Sequence, residues 1–177
     1  MRITEQPGAF PPMQPGGDRN AKELPMIDGH REWSNGLFTC LEDSITFFFA
    51  CCLPCVIYSK NKTRYESLQD WGVPHSRGGV PVGRGTITYG VMGCCYCGGI
   101  PGMPNRRNIR GRYSIRGSSA SDFFLSCCCA PCALTQESRE LELEERSLGH
   151  PGGGMSYLTQ LPPSLPQHPL PGLGKAG

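Results

Sequence analysis

The chain reads as a mainly α, small cysteine-rich domain with short apolar helices and irregular cysteine-rich turns, set between disordered Pro/Gly-rich tails. Three observations predict this class. All eleven cysteines of the 177 residues lie between Cys40 and Cys132. The uncharged stretches there are too short, or too rich in glycine and proline, for long regular elements. The two ends lack apolar periodicity and cannot bury enough surface to offset the entropy of ordering.

Residues 1–32 hold five Pro and four Gly, and residues 149–177 six Pro and seven Gly, so both read as tails around an ordered region of 33–148. In the C-terminal tail, "PPSLP" (162–166) is a weak polyproline-type docking signal. Within the domain, "SITFFFACCLPCVIY" (44–58) is uncharged. As a helix it would reach only about 22 Å, short of a hydrocarbon core of about 30 Å. Asp43 is placed to cap its start, and Pro54 to kink or end it. The basic "KNKTR" (60–64) follows, a composition suited to phospholipid headgroups.

"GTITYGVMGCCYCGGIPGMPN" (85–105) also lacks charge but contains six Gly and two Pro. Positive loops flank it on both sides, so a true span would carry one cluster to the wrong face. A re-entrant or surface-embedded segment is the expectation. No acid occurs between Asp70 and Asp122, a stretch with seven arginines, among them Arg106, Arg107, Arg110, Arg112 and Arg116. These face anionic lipid, or else pair with the acidic helix that follows; no recognisable nucleic-acid module surrounds them. In "ASDFFLSCCCAPCALTQESRELELEERSLG" (120–149), a cysteine-rich turn leads into a helix. Leu134, Leu141 and Leu148 form a narrow apolar stripe, Glu142 and Arg146 an i,i+4 pair, and Gly149 a stop. The expectation is a surface helix packed by that stripe, with its acidic residues in solvent or on a partner.

"FFFACCLPC" (47–55) and "FLSCCCAPC" (124–132) echo one another. Each ends in a C-x-P-C pair, Cys52/Cys55 and Cys129/Cys132. Two such pairs can assemble a four-thiolate zinc tetrahedron, and thiolates suit cadmium and copper(I) equally. Cys51 and Cys128 are further candidate ligands, and Asp43 and Asp122 would cap helices or add oxygen donors. Cys94, Cys95 and Cys97 could form another site with Cys40 or Cys51. S-acylation, a redox C-x-x-C and simple burial as small apolar groups remain open for the same thiols. With no apolar signal region, an odd cysteine count predicts a reducing compartment. The four histidines have no ligand or triad spacing, and "GGVPVGRG" lacks the strand-to-helix context of a phosphate loop, so an enzyme or a small-molecule substrate is not expected.

"WSNGLFTCLED" (33–43), "CCLPCVIY" (51–58), "RRNIRGRYSIRGS" (106–118) and "DFFLSCCCAPCALTQESREL" (122–141) together resemble the placenta-specific-8, cornifelin and plant cadmium-resistance (cell-number regulator) family. "YSKNKTRYESL" (58–68) is closest to fungal members. Phe47 and Thr135 stand where many members have cysteine, and Ser59 where glycine is common. The resemblance implies association with membranes, often the plasma membrane, and roles in zinc and cadmium tolerance, calcium entry or control of cell number. It also implies homo-oligomers built from segments too short to span alone. The combined expectation is a non-enzymatic, membrane-associated protein with cytoplasmic tails that binds or helps move divalent heavy metal or regulates growth, with zinc the one cofactor the thiols would suit and no other expected. The alternative is a soluble or lipid-anchored interaction scaffold in which zinc or buried thiols only hold the fold.

Overall fold

The computed structural model describes residues 16–94 and 99–149. Within them the protein is helical, with two isolated backbone bridges and no strand. A short 3-10 helix, Leu37–Asp43, leads into α1, Ser44–Cys52, whose first turn is capped by Asp43 accepting from Thr46 N at 3.1 Å. Pro54 ends that helix and starts the next, α2, Pro54–Asp70. Proline is tolerated there because the first-turn N–H has no helical partner anyway. α3 spans Arg84–Cys94, α4 Gly99–Tyr113, α5 Ser119–Cys128 and α6 Ala130–Ser147. Gly149, at φ +76°, closes α6 and donates to Arg146 O, the stop its sequence position predicts.

The six helices form three hairpins. α1, α3 and α5 run toward one end of the molecule, and α2, α4 and α6 run back. Two apolar clusters fix this arrangement. Near the turning end, Ala50, Ile57, Tyr58, Tyr89 and Leu134 pack together, with the Tyr58 and Tyr89 rings 4.7 Å apart. Gly102 of α4 lies against Ser126 of α5, where a Cβ would come within 3.1 Å, so the fourth and fifth helices also meet at this level. Toward the other end, Leu68, Ile109, Tyr113, Ile115 and Leu141 form the second cluster. We call the turning end the tip and the opposite end the base.

Two expectations are corrected here. Residues 16–32, read as tail, pack on the domain: Gly17 N donates to Glu144 and Asp18 N to Ser147 at the base. Arg31 lies in the core at 2 % exposure. Composition hid this because the segment is held by polar contacts rather than by an apolar face. Second, α6 is not a surface helix. It is the central element, with Glu137, Glu140, Glu144 and Glu145 all buried. The uncharged 85–105 stretch contributes to two helices, α3 and α4. "PPSLP", Cys95 and Cys97 fall outside the described residues. No single helix among the described residues is long and apolar enough to cross a membrane; the bent pair Leu37–Cys52 and Pro54–Asp70, folded by 114°, has that length and composition only when taken together.

Candidate functional site

The tip carries the thiols. Cys51 and Cys52 end α1, and Cys127 and Cys128 end α5; all four are exposed and free. Cys55, half-buried and free, begins α2, and Cys40 is buried in the 3-10 helix. Slight burial first, then the thiols of Cys52 and Cys40, push the Cys51 thiol up. Adjoining the thiols in α1 and α5, Phe48 is 62 % and Phe124 68 % exposed, and Leu53 and Phe123 are exposed too; elsewhere Phe38 is 81 % and Trp71 77 % exposed.

The sequence echo is real in three dimensions, with a shift. Leu53 breaks the first hairpin at φ −136°, ψ 60°, and Cys129 breaks the third at φ −143°, ψ 62°. Leu53 N donates to Phe49 O, and Cys129 N to Leu125 O. Aligned on the breaks, Ala50 matches Ser126, both buried, and Cys51-Cys52 matches Cys127-Cys128, both exposed. The prolines, however, stand one position further apart than the breaks. Cys52 is therefore the last residue of α1, while Cys129 is the break residue itself. Cys129 and Cys132 are bonded to one another as a disulfide, with Cα atoms 5.4 Å apart.

While that bond is closed, the sulfurs of Cys129 and Cys132 are held by one another. Among the described residues no group of three or more His, Cys, Asp or Glu side chains is gathered in one place. Asp43 serves as the α1 cap. Asp122 does not cap α5. Ser118 caps α5, and Asp122 is buried with both oxygens accepting from Arg110, at 2.9 and 2.6 Å.

The arginines are likewise relocated. Arg107 and Arg116 are exposed, as a lipid-facing pair requires. Arg106, Arg110 and Arg112 are instead paired inside the protein, the other reading the charge blocks allowed. Arg112 donates to both oxygens of Glu144, at 2.6 and 2.9 Å, and the Tyr113 hydroxyl to the same carboxylate at 2.6 Å. Burial, then Glu144, holds the Tyr113 hydroxyl well above its ordinary pKa. Arg64 grips Glu145 with Nε at 2.9 Å and Nη2 at 2.7 Å, both residues fully buried. Arg31 reaches Glu140 at 2.6 Å.

Closer to the tip the pairing loosens. Arg106 lies 3.7 Å from Glu137 and 3.5 Å from Asp122, with its plane 4.2 Å from the Trp33 ring. Glu137 accepts from Asn105 at 3.1 Å. Burial outweighs Arg106 at that distance and lifts the Glu137 carboxyl to about 7. Sequence reasoning missed this core as a site. Its signal was present: an acid-free stretch with seven arginines, then five glutamates.

An open cavity of about 400 Å³ lies at the base between the 3-10 helix and α6. Its wall includes Arg139 and Glu42, themselves paired at 2.8 Å, and it holds no nucleophile–base pair.

The PLAC8 family profile matches residues 33–140. Plant cadmium resistance 12 of Arabidopsis thaliana is 29 % identical over 110 residues, which is 62 % of each chain. Cell number regulator 1 of Zea mays is 32 % identical over 122 residues, 68 % of this chain and 59 % of its own length. Plant cadmium resistance 9 of Arabidopsis thaliana is 31 % identical over 112 residues, 63 % of this chain and 69 % of its own. The chain thus spans about three-fifths of the first two relatives' length. These names describe resistance or regulator proteins, not enzymes. No solved structure matches.

Proposed function

The chain belongs to the PLAC8 family, and from that premise we propose that it is a non-enzymatic, monotopic membrane protein that contributes to heavy-metal tolerance. Its tip enters one leaflet and presents thiols to soft divalent cations such as cadmium or zinc. The observation that carries this reading is the set of exposed free thiols beside exposed Phe48 and Phe124 at the ends of α1 and α5. The buried ion pairs lie toward the other end, where Phe38 and Trp71 are uncovered as well. α1, α3 and α5 have nine, eleven and ten residues. Each therefore reaches about 15 Å, half of a hydrocarbon core of about 30 Å. Helical hairpins keep their backbone groups bonded at that depth. Exposed Arg107 and Arg116 would meet anionic headgroups, at about 1 kcal/mol per residue.

The metal is cargo in this reading. The fold is held by arginine–carboxylate pairs and two apolar clusters. The free donors are Cys51, Cys52, Cys55, Cys127 and Cys128. A site with three or more sulfurs then draws on more than one hairpin or on a second copy of the chain, which accords with an oligomer at the plasma membrane. The relatives' names support cadmium and growth control as roles of those proteins; for this chain, thiols at a membrane surface favour the metal.

The test is flotation of the full chain with vesicles of neutral and anionic lipid, followed by cadmium analysis of the floated fraction. The wild type should float and carry cadmium. A Phe48→Glu, Phe124→Glu variant should stay in the aqueous layer, and a Cys51→Ser, Cys52→Ser variant should float with less metal. A wild type that stays in the aqueous layer favours the scaffold reading; one that floats without cadmium rejects the metal role.

A further inference from the structure

The two C-x-P-C breaks look interchangeable in sequence, but the structure gives them different chemistry. In the third hairpin Cys129 is the N-cap of α6 and Cys132 is its third helical residue. A side chain at the N-cap points along the first turn toward that third residue, the geometry by which capping boxes close. The same molecule shows it at α5, where Ser118 and Ser121 hold these positions and each backbone N–H donates to the other's hydroxyl at 3.2 Å. In the first hairpin the one-residue slip puts Cys52 before the N-cap and Cys55 at the second helical position. Those side chains leave the break in different directions, Cys52 exposed and Cys55 half-buried, and both stay free.

We infer that Cys129 and Cys132 form a reversible thiol–disulfide exchange site for small thiols and disulfides, and that Cys52 and Cys55 do not. Exposure divides the labour. Cys129 is half-buried beside exposed Cys128, and Cys132 is 6 % exposed behind it. A small disulfide R–S–S–R is attacked by the Cys129 sulfur. One R–SH leaves and a Cys129–S–S–R bond forms. The Cys132 sulfur then attacks the Cys129 sulfur, expels the second R–SH and closes the protein bond. Two electrons pass from the dithiol to R–S–S–R, and both thiol protons end on the departing thiols. A dithiol couple reverses the sequence. The open form adds two sulfurs to the tip and the closed form withdraws them; only this consequence for cadmium rests on the membrane–metal reading above.

The test contains no metal and no lipid vesicle, so it fails or succeeds independently of that reading. The full chain in detergent is equilibrated with graded ratios of dithiothreitol to its cyclic disulfide, a neutral couple able to enter a micelle. It is then quenched in acid and alkylated, and each cysteine peptide is weighed. The 129/132 peptide should lose two alkyl groups together as the ratio falls, while Cys52 and Cys55 keep both. A Cys132→Ser variant treated instead with cystamine, a linear disulfide, should keep one cysteamine half attached at Cys129 as a mixed disulfide. The inference is overturned if 129/132 stays alkylated at every ratio, if its bond resists excess dithiothreitol in the native protein, or if 52/55 closes at the same ratio. The wild-type titration decides the matter even where the variant does not fold.

Discussion

The tip and the base of this molecule treat their polar groups in opposite ways. At the base, charged groups are taken inside: Arg64 and Glu145 are fully buried and bonded to each other, and Glu144 is buried against Arg112 and Tyr113. At the tip, Phe48, Phe124 and four thiols are left outside. Apolar side chains are uncovered at both ends, Phe38 and Trp71 at the base among them. The difference lies in the polar groups: the base closes its charges on one another, while the tip leaves its thiols free.

Perturbing each end should therefore give unlike results. The largest effect belongs to the base. Replacing Glu145 by Ala strands a buried guanidinium and should cost about 3–5 kcal/mol of unfolding free energy. Urea unfolding measures it, and an Arg64→Met, Glu145→Leu double variant should regain most of the loss. Next comes Glu137, whose folded carboxyl titrates near 7 against 4.5 when exposed. A raised carboxyl pKa means the folded state holds the proton more tightly. The stabilisation is complete below 4.5 and is lost as pH rises from there through about 7, on the order of 3 kcal/mol. Melting curves from pH 4.5 to 8 should fall for the wild type and flatten for Glu137→Gln. A smaller change, about 1 kcal/mol, is expected for Ser118→Ala, which removes the α5 capping box. Smallest of all, Cys52→Ser or Phe48→Ser at the tip should move stability by no more than about 0.5 kcal/mol, even where vesicle binding is lost. A tip substitution that unfolds the chain would erase the contrast between the ends.

What the sequence made legible follows the same division. Asp43, Pro54 and Gly149 act through neighbours within a turn, so their roles can be read along the chain. The helical class followed from such signals, and the tip cysteines from simple position. Burial of a charge is not local. Nothing around Glu144 in sequence announces Arg112, Tyr113 and Gly17, and an apolar-stripe rule assigns such a residue to solvent. Arg31 was hidden similarly, in a segment whose proline and glycine content reads as disorder. The echo was visible, but its one-residue slip was not, because only the backbone shows where each helix breaks.

Glu144 and Glu145 lie beyond residue 140, where the family match ends, and Arg31 lies before residue 33, where it begins. A recombinant fragment trimmed to the matched stretch would keep Arg64, Arg112 and Glu140 yet discard the counter-ion of each. A fragment that keeps these pairs has to include Gly17 and Arg31 on one side and Glu145 and Ser147 on the other, and one cut to the shorter boundary should melt at a lower temperature than the full chain.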